Sequence, residues 1–187
     1  MKHTPPSTKQ SGISLIEVLV AMLIASLGFL SMIAMQVNAT KYTKASEYRT
    51  MGTLLIGDLA DRMRANRAGY LANLYTFTDD YPEDGAVTAP DALSNCNEPS
   101  NSCTAAEMAA QDMNEWRRAV SFALPGGYVR VNIPAVVNGN NTADVWLLWQ
   151  DPQSGAALDG IGSECPAAGI PKDATVTPRC MHFVISI

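Results

Sequence analysis

Charge is scarce in this sequence. Asp, Glu, Lys and Arg make up 17% of its 187 residues, against roughly 25% in an average soluble domain. The charge present leans acidic, 18 Asp+Glu against 13 Lys+Arg, for a formal net charge of −5. That balance excludes a nucleic-acid binder working through a broad basic surface. Histidine is rarer still: there are two, and His3 falls among the first twelve residues. None of the four cysteines sits in a C-x-x-C pair, so the usual spacing of a zinc site is missing. No nucleophile motif surrounds His182, so catalysis has no starting point. The acidic cluster Asp79, Asp80, Glu83 and Asp84 lacks the spacing of an EF-hand and reads as a solvated loop. Internal repeats and low-complexity tracts are also missing. A hydrophobic content of 47% excludes a wholly disordered chain.

What the sequence does have is one long apolar run. Residues 1–12, MKHTPPSTKQSG, are polar and carry Lys2 and Lys9 but no acid. From Ile13 to Met35 the chain is almost continuously apolar. As a helix at ~1.5 Å per residue it reaches across a bilayer core of about 30 Å. The lysines precede it, so the positive-inside rule keeps the N-terminus cytoplasmic and exports the rest. A cleaved secretory signal would be shorter and end in a small-residue site. A plain anchor leaves Glu17 unexplained, because a carboxylate in an apolar span calls for a partner.

Gly12 followed by ISLIEVLVAM resembles the class III signal of type IV prepilins. The resemblance implies cleavage between Gly12 and Ile13 by a membrane aspartic peptidase on the cytoplasmic side. The same enzyme then N-methylates Ile13, with S-adenosylmethionine as methyl donor. It places Glu17 fifth in the mature chain, where its carboxylate would neutralise the N-terminal ammonium of a neighbouring subunit. The family's commonest first residue is Phe, and Ile13 departs from it.

Beyond the apolar run, Tyr42, Ala45, Tyr48, Met51/Gly52, Leu55, Leu59 and Met63 recur at spacings of three and four. They predict one amphipathic helix whose stripe rests on the C-terminal region. It is expected to end near Gly69, with Gly28, Gly52 and Gly57 as places where it weakens or bends. Residues 70–103 read as loop and turn, with Tyr70–Phe77 open between strand and helix. Thr104 and Glu107 fit a capping box for a second helix over 104–124. Its face is Ala105, Met108, Asp112/Met113, Trp116, Val120 and Ala123, with Asp112 a polar blemish. Pro125-Gly126-Gly127 ends it. Tyr128–Ile133 alternates as a strand, Asn138–Asn141 is a turn signal, and Val145–Trp149 is a more buried strand paired with the first. A Pro/Gly-rich connection over 151–179 leads to a short strand over His182–Ile187. Trp116, Trp146 and Trp149 are expected in the core. The fold class is therefore α+β: a leader over 1–12, a hydrophobic helix over 13–37, an amphipathic helix over 38–69, and a head over 70–187. The head's antiparallel sheet packs on the helix's outer half.

Cys96, Cys103, Cys165 and Cys180 all lie on the exported side, where an even number suggests disulfides. Four cysteines allow three pairings, and Cys96–Cys103 with Cys165–Cys180 is favoured because each closes a local loop. Asp61-Arg62-Met63-Arg64-Ala65-Asn66-Arg67-Ala68-Gly69-Tyr70 is similar to the segment after the long helix in PilV-type minor pilins. So are Met113-Asn114-Glu115-Trp116-Arg117 and the Leu124-Pro125-Gly126-Gly127 turn. The three arginines there have two readings. They are a solvated helix end favoured by the dipole, or contacts with a neighbouring pilin through Arg62, Arg64 and Arg67. The resemblance implies a non-catalytic minor pilin that promotes fibre initiation, adhesion and twitching motility. Its partners would be the prepilin peptidase/N-methyltransferase and other minor and major pilins, with no cofactor and no nucleic acid. Its place would be the inner membrane, with the C-terminal domain periplasmic, and then the extracellular fibre. The competing readings are a minor pseudopilin of a type II secretion system and a membrane-anchored exoplasmic binding domain.

Overall fold

A computed structural model of the chain describes residues 12–93, 96, 98, 101–134, 142–150, 164–166, 168–171 and 176–187. The leader before Gly12, the Asn138–Asn141 turn and most of the 151–179 connection lie outside them. Three helices, α1 (Leu15–Ala65), α2 (Arg67–Leu71) and α3 (Ala105–Ala123), precede three strands, β1 (Tyr128–Asn132), β2 (Thr142–Trp149) and β3 (Arg179–Ser186). The architecture is α+β, as expected. The chain divides into two units, Met1–Tyr42 and Thr43–Ile187.

In the first unit α1 buries nothing. Every large apolar side chain from Ile13 to Val37 is between 42% and 79% exposed. The second unit holds the core. Gly52, Leu55, Ile56, Leu59, Ala60 and Met63 of α1 are buried at i, i+3, i+4 spacing. One member of the expected stripe, Tyr42, is exposed, and at the Met51/Gly52 position it is Gly52 that is buried while Met51 is 38% exposed. The buried face turns on Gly52, Leu55/Ile56 and Leu59, which leaves Met51 to one side. The three glycines do not interrupt α1.

Gly52 has a packing reason. A Cβ built on it would lie 3.2 Å from Leu147 Cδ1 and 3.7 Å from Met181 Sδ, so its bare backbone lets the sheet approach. Gly57 faces open space. Gly57→Ala is therefore expected to stabilise by about 0.8 kcal/mol through helix propensity. Gly52→Val should destabilise by about 1–3 kcal/mol by overpacking. Urea unfolding of the detergent-extracted protein measures both, and equal effects would contradict the close-approach account.

The helix ends earlier than the sequence suggested. Asn66 adopts φ −109°, ψ 59°, and its side chain accepts a hydrogen bond from Gly69 N to cap α2. The Asn66 Nδ2 group also donates to Ala105 O at 2.8 Å. Gly69 thus lies inside α2, beneath Asn66, rather than closing α1. The Tyr70–Phe77 piece is neither long helix nor strand: α2 stops at Leu71, Asn73 takes φ 59°, and Phe77 makes a single bridge to Val131.

The second helix starts at its expected capping box. Thr104 Oγ1 accepts from Glu107 N at 3.2 Å, and Thr104 N donates to Glu107 Oε2 at 2.8 Å. Hydrogen bonds from Thr104's backbone and hydroxyl hold the Glu107 carboxyl below its usual range. Asp112 is no blemish. It is buried and accepts from Tyr75 Oη at 2.5 Å, with Arg62 Nη1 at 3.2 Å. Burial and that bond push the Tyr75 phenol far up.

The sheet is an antiparallel meander, β1-β2-β3. Val129↔Leu147, Val131↔Val145, Val145↔Phe183 and Ala143↔Ile185 are paired, and these alternate residues face the helices. Trp149, Trp116 and Val120 complete that core. The other face carries three rows: Tyr128–Leu148–Cys180, Arg130–Trp146–His182 and Asn132–Asp144–Val184. Tyr81, Val87, Cys165 and Ile170 cover the first row. Trp146 is half-buried: it packs against this second cluster rather than in the main core, and stacks on His182 at 4.5 Å. Cys96 is bonded to Cys103 and Cys165 to Cys180.

Candidate assembly site

The apolar helix begins with a local solution to a local problem. The first backbone N–H groups of any helix lack intrahelical acceptors. Here Gly12, Ile13 and Ser14 lie outside α1. Ser14 N donates to Glu17 Oε2 at 3.3 Å, and Ser14 O accepts from Glu17 N at 3.0 Å and from Val18 N at 3.3 Å. Ser14-Leu15-Ile16-Glu17 is an S-x-x-E pattern, and this bond is the carboxylate half of a capping box. The helix therefore starts at Leu15, two residues after Ile13. The same four-residue pattern that identifies Thr104–Glu107 was present here, but its carboxylate had been given only an intermolecular role. A carboxylate also suits the positive end of the helix dipole.

Around this start the chain is apolar on every side. Leu15, Ile16, Leu19, Met22 and Leu23 are each at least half exposed, so the first unit offers a surface that wants a bilayer or other helices. Among the described residues α1 is the one helix long and apolar enough to cross a membrane.

The chain itself matches two families. Residues 7–33 match the prokaryotic N-terminal methylation motif. Residues 34–114 match the family described as type IV pilin Tt1218. The two matches lie end to end, a prepilin methylation motif followed by a segment similar to type IV pilins. No curated protein and no solved structure matches it. The pilin match begins within α1, runs through α2 and the first half of α3, and stops before the sheet. The methylation motif spans Gly12, Ile13 and Glu17; it implies processing by a prepilin peptidase and assembly with other pilins.

The three arginines of the pilin segment sit in different surroundings. Arg62 is turned inward: Nε lies 3.0 Å from Asp58, and Nη1 3.2 Å from Asp112 and 3.0 Å from Glu115. Burial works against its charge, but the hydrogen bonds to Glu115 and Asp58 outweigh it and raise its pKa. This cluster ties α1 to α3. Arg64 is half exposed, pairs with Asp61 at 3.0 Å, and donates from Nη2 to Ser186 O at 3.3 Å. Arg67 is exposed on α2. No sequence signal separated these roles, because Asp112, Glu115 and Ser186 are brought in by tertiary folding.

Proposed function

We propose that this protein is a minor pilin of a type IV pilus, a subunit that promotes fibre assembly and so adhesion and twitching motility. The observation that carries the reading is Glu17, five residues after Gly12, at the start of an otherwise apolar helix with no partner for its surface in the same unit. On this reading residues 1–12 are removed, 13–37 cross the inner membrane and later pack in the fibre, and 38–69 join them to a periplasmic head over 70–187. The Glu17 carboxylate then meets the methylated ammonium of Ile13 in a neighbouring subunit. Other minor and major pilins are its partners, with Arg64 and Arg67 as surface contacts and Arg62 engaged within the fold. Mass spectrometry of the N-terminus after membrane extraction should find methylated Ile13. A chain that keeps Met1–Gly12 where the peptidase is active would overturn the reading.

A further inference from the structure

The head has two apolar layers, one on each face of the sheet. The larger lies between the sheet and the helices, and among the described residues no cysteine belongs to it. The smaller lies on the other face, where Tyr81, Leu148 and Cys180 are buried with Val87, Tyr128, Cys165 and Ile170 around them. Tyr81 meets the Tyr128 ring edge-on, with 5.6 Å between centroids. Part of this layer's cover is a strap, residues 164–166 and 168–171, that lies outside the helices and strands.

The strap is held to the sheet by one covalent bond and by polar contacts. Cys165 is bonded to Cys180 of β3, 15 residues along the chain. Gly169 O accepts from Tyr81 N at 2.7 Å. Gly169 takes φ +97°, and a Cβ there would collide with the Arg130 guanidinium, which itself donates to Thr78 O at 2.7 Å. The other cystine differs. Cys96–Cys103 closes a seven-residue separation just before the α3 cap, and neither of its residues belongs to either apolar layer.

We propose that Cys165–Cys180 is a redox-operated strap: a dithiol reductant opens the outer layer of the head and bares Tyr128 and Leu148, while the helix-side core stays folded. The point of entry is Cys165, which is half-buried where Cys180 is buried. A thiolate of the dithiol attacks Cys165 Sγ, the S–S bond breaks, and Cys180 leaves as a thiolate that takes up a proton. The second thiol of the dithiol then closes its own disulfide and releases Cys165 as a thiol. The protein gains two electrons and two protons, and the dithiol loses them. Once the bond is cut, the strap must find the sheet through its weak contacts alone, against the closure entropy of its loop. The outer layer thereby follows the thiol–disulfide balance of its surroundings.

The test uses the full-length, detergent-extracted chain as Cys96→Ser/Cys103→Ser, which leaves Cys165–Cys180 as its cystine. Amide hydrogen exchange is measured with and without dithiothreitol, and mass spectrometry verifies complete reduction. At Tyr81 N, exchange should quicken by about a hundredfold on reduction, the scale that closing a loop of this length implies. Amides in the middle of α3 should keep their rates, because they belong to the other layer. Iodoacetamide should label Cys180 of the reduced chain under the same native conditions. Replacing Cys165 and Cys180 by Ala in this background should reproduce the reduced pattern without any dithiol. If that variant does not fold, reduction of the folded parent decides. A Tyr81 amide that stays protected after complete reduction overturns the proposal. So does loss of α3 protection in step with Tyr81, which would make the cystine a support of the whole head.

Discussion

Glu17→Ala is expected to leave the chain cut after Gly12 yet lower its amount in sheared fibres more than about tenfold, since an unpaired buried charge costs several kcal/mol and 1.4 kcal/mol is already tenfold. The carboxylate has two roles to lose. In the single chain the carboxylate accepts from Ser14 N, a cap whose loss costs roughly 1 kcal/mol of helix stability. In the fibre reading it also neutralises an ammonium. Removing it there strands a positive charge among apolar helices. Glu17→Gln separates the two effects. An amide oxygen still accepts from Ser14 N but carries no charge, so this variant should keep its first helical turn and still fail to enter fibres. Quantitative blots of sheared fibres and membranes measure this. Normal fibre amounts of either variant would contradict the charge argument.

Trp116→Ala is expected to destabilise the head by roughly 4 kcal/mol, in the range for large-to-small aromatic truncations. At about 2–4 °C per kcal/mol for a chain of this size, Tm falls by about 10 °C. Trp116 is fully buried, and its Nε1 donates to Leu55 O at 2.7 Å. One side chain thus fills the space between α1 and α3 and fixes their register with a polar contact. Trp116→Phe keeps most of the volume and loses the donor, so it should cost less. Thermal unfolding of the extracted protein, followed by near-UV circular dichroism, tests both. A Phe variant as unstable as the Ala variant would mean that the hydrogen bond, not the packing, dominates.

Features with short-range causes were legible in the sequence. The Thr104–Glu107 box marks α3 because its two hydrogen bonds close within four residues. The alternation of Val129, Val131 and Ile133 reveals a one-sided strand, and all three are buried. Proximity along the chain also gave the cystine pairs their favoured arrangement. Features with long-range causes were not legible. Asn66 breaks the helix while donating to Ala105 O, 39 residues away. Asp112 looks misplaced on an apolar face until Arg62 and Tyr75 arrive from other elements. At the assembly site the motif residues stood out, yet the local cap at Ser14 was hidden by a stronger expectation for the same carboxylate.

The Phe77–Val131 bridge gives the sheet two unlike margins. Among the described residues, β1 is paired at its middle with the protein's own chain, and β3 is met only at Ser186 O, by the Arg64 side chain. The bridge interrupts the free main-chain groups of β1 at Val131. Repeated edgewise stacking, the route by which strand pairing turns into endless ribbons, needs two open margins, and here each one meets a group of its own chain.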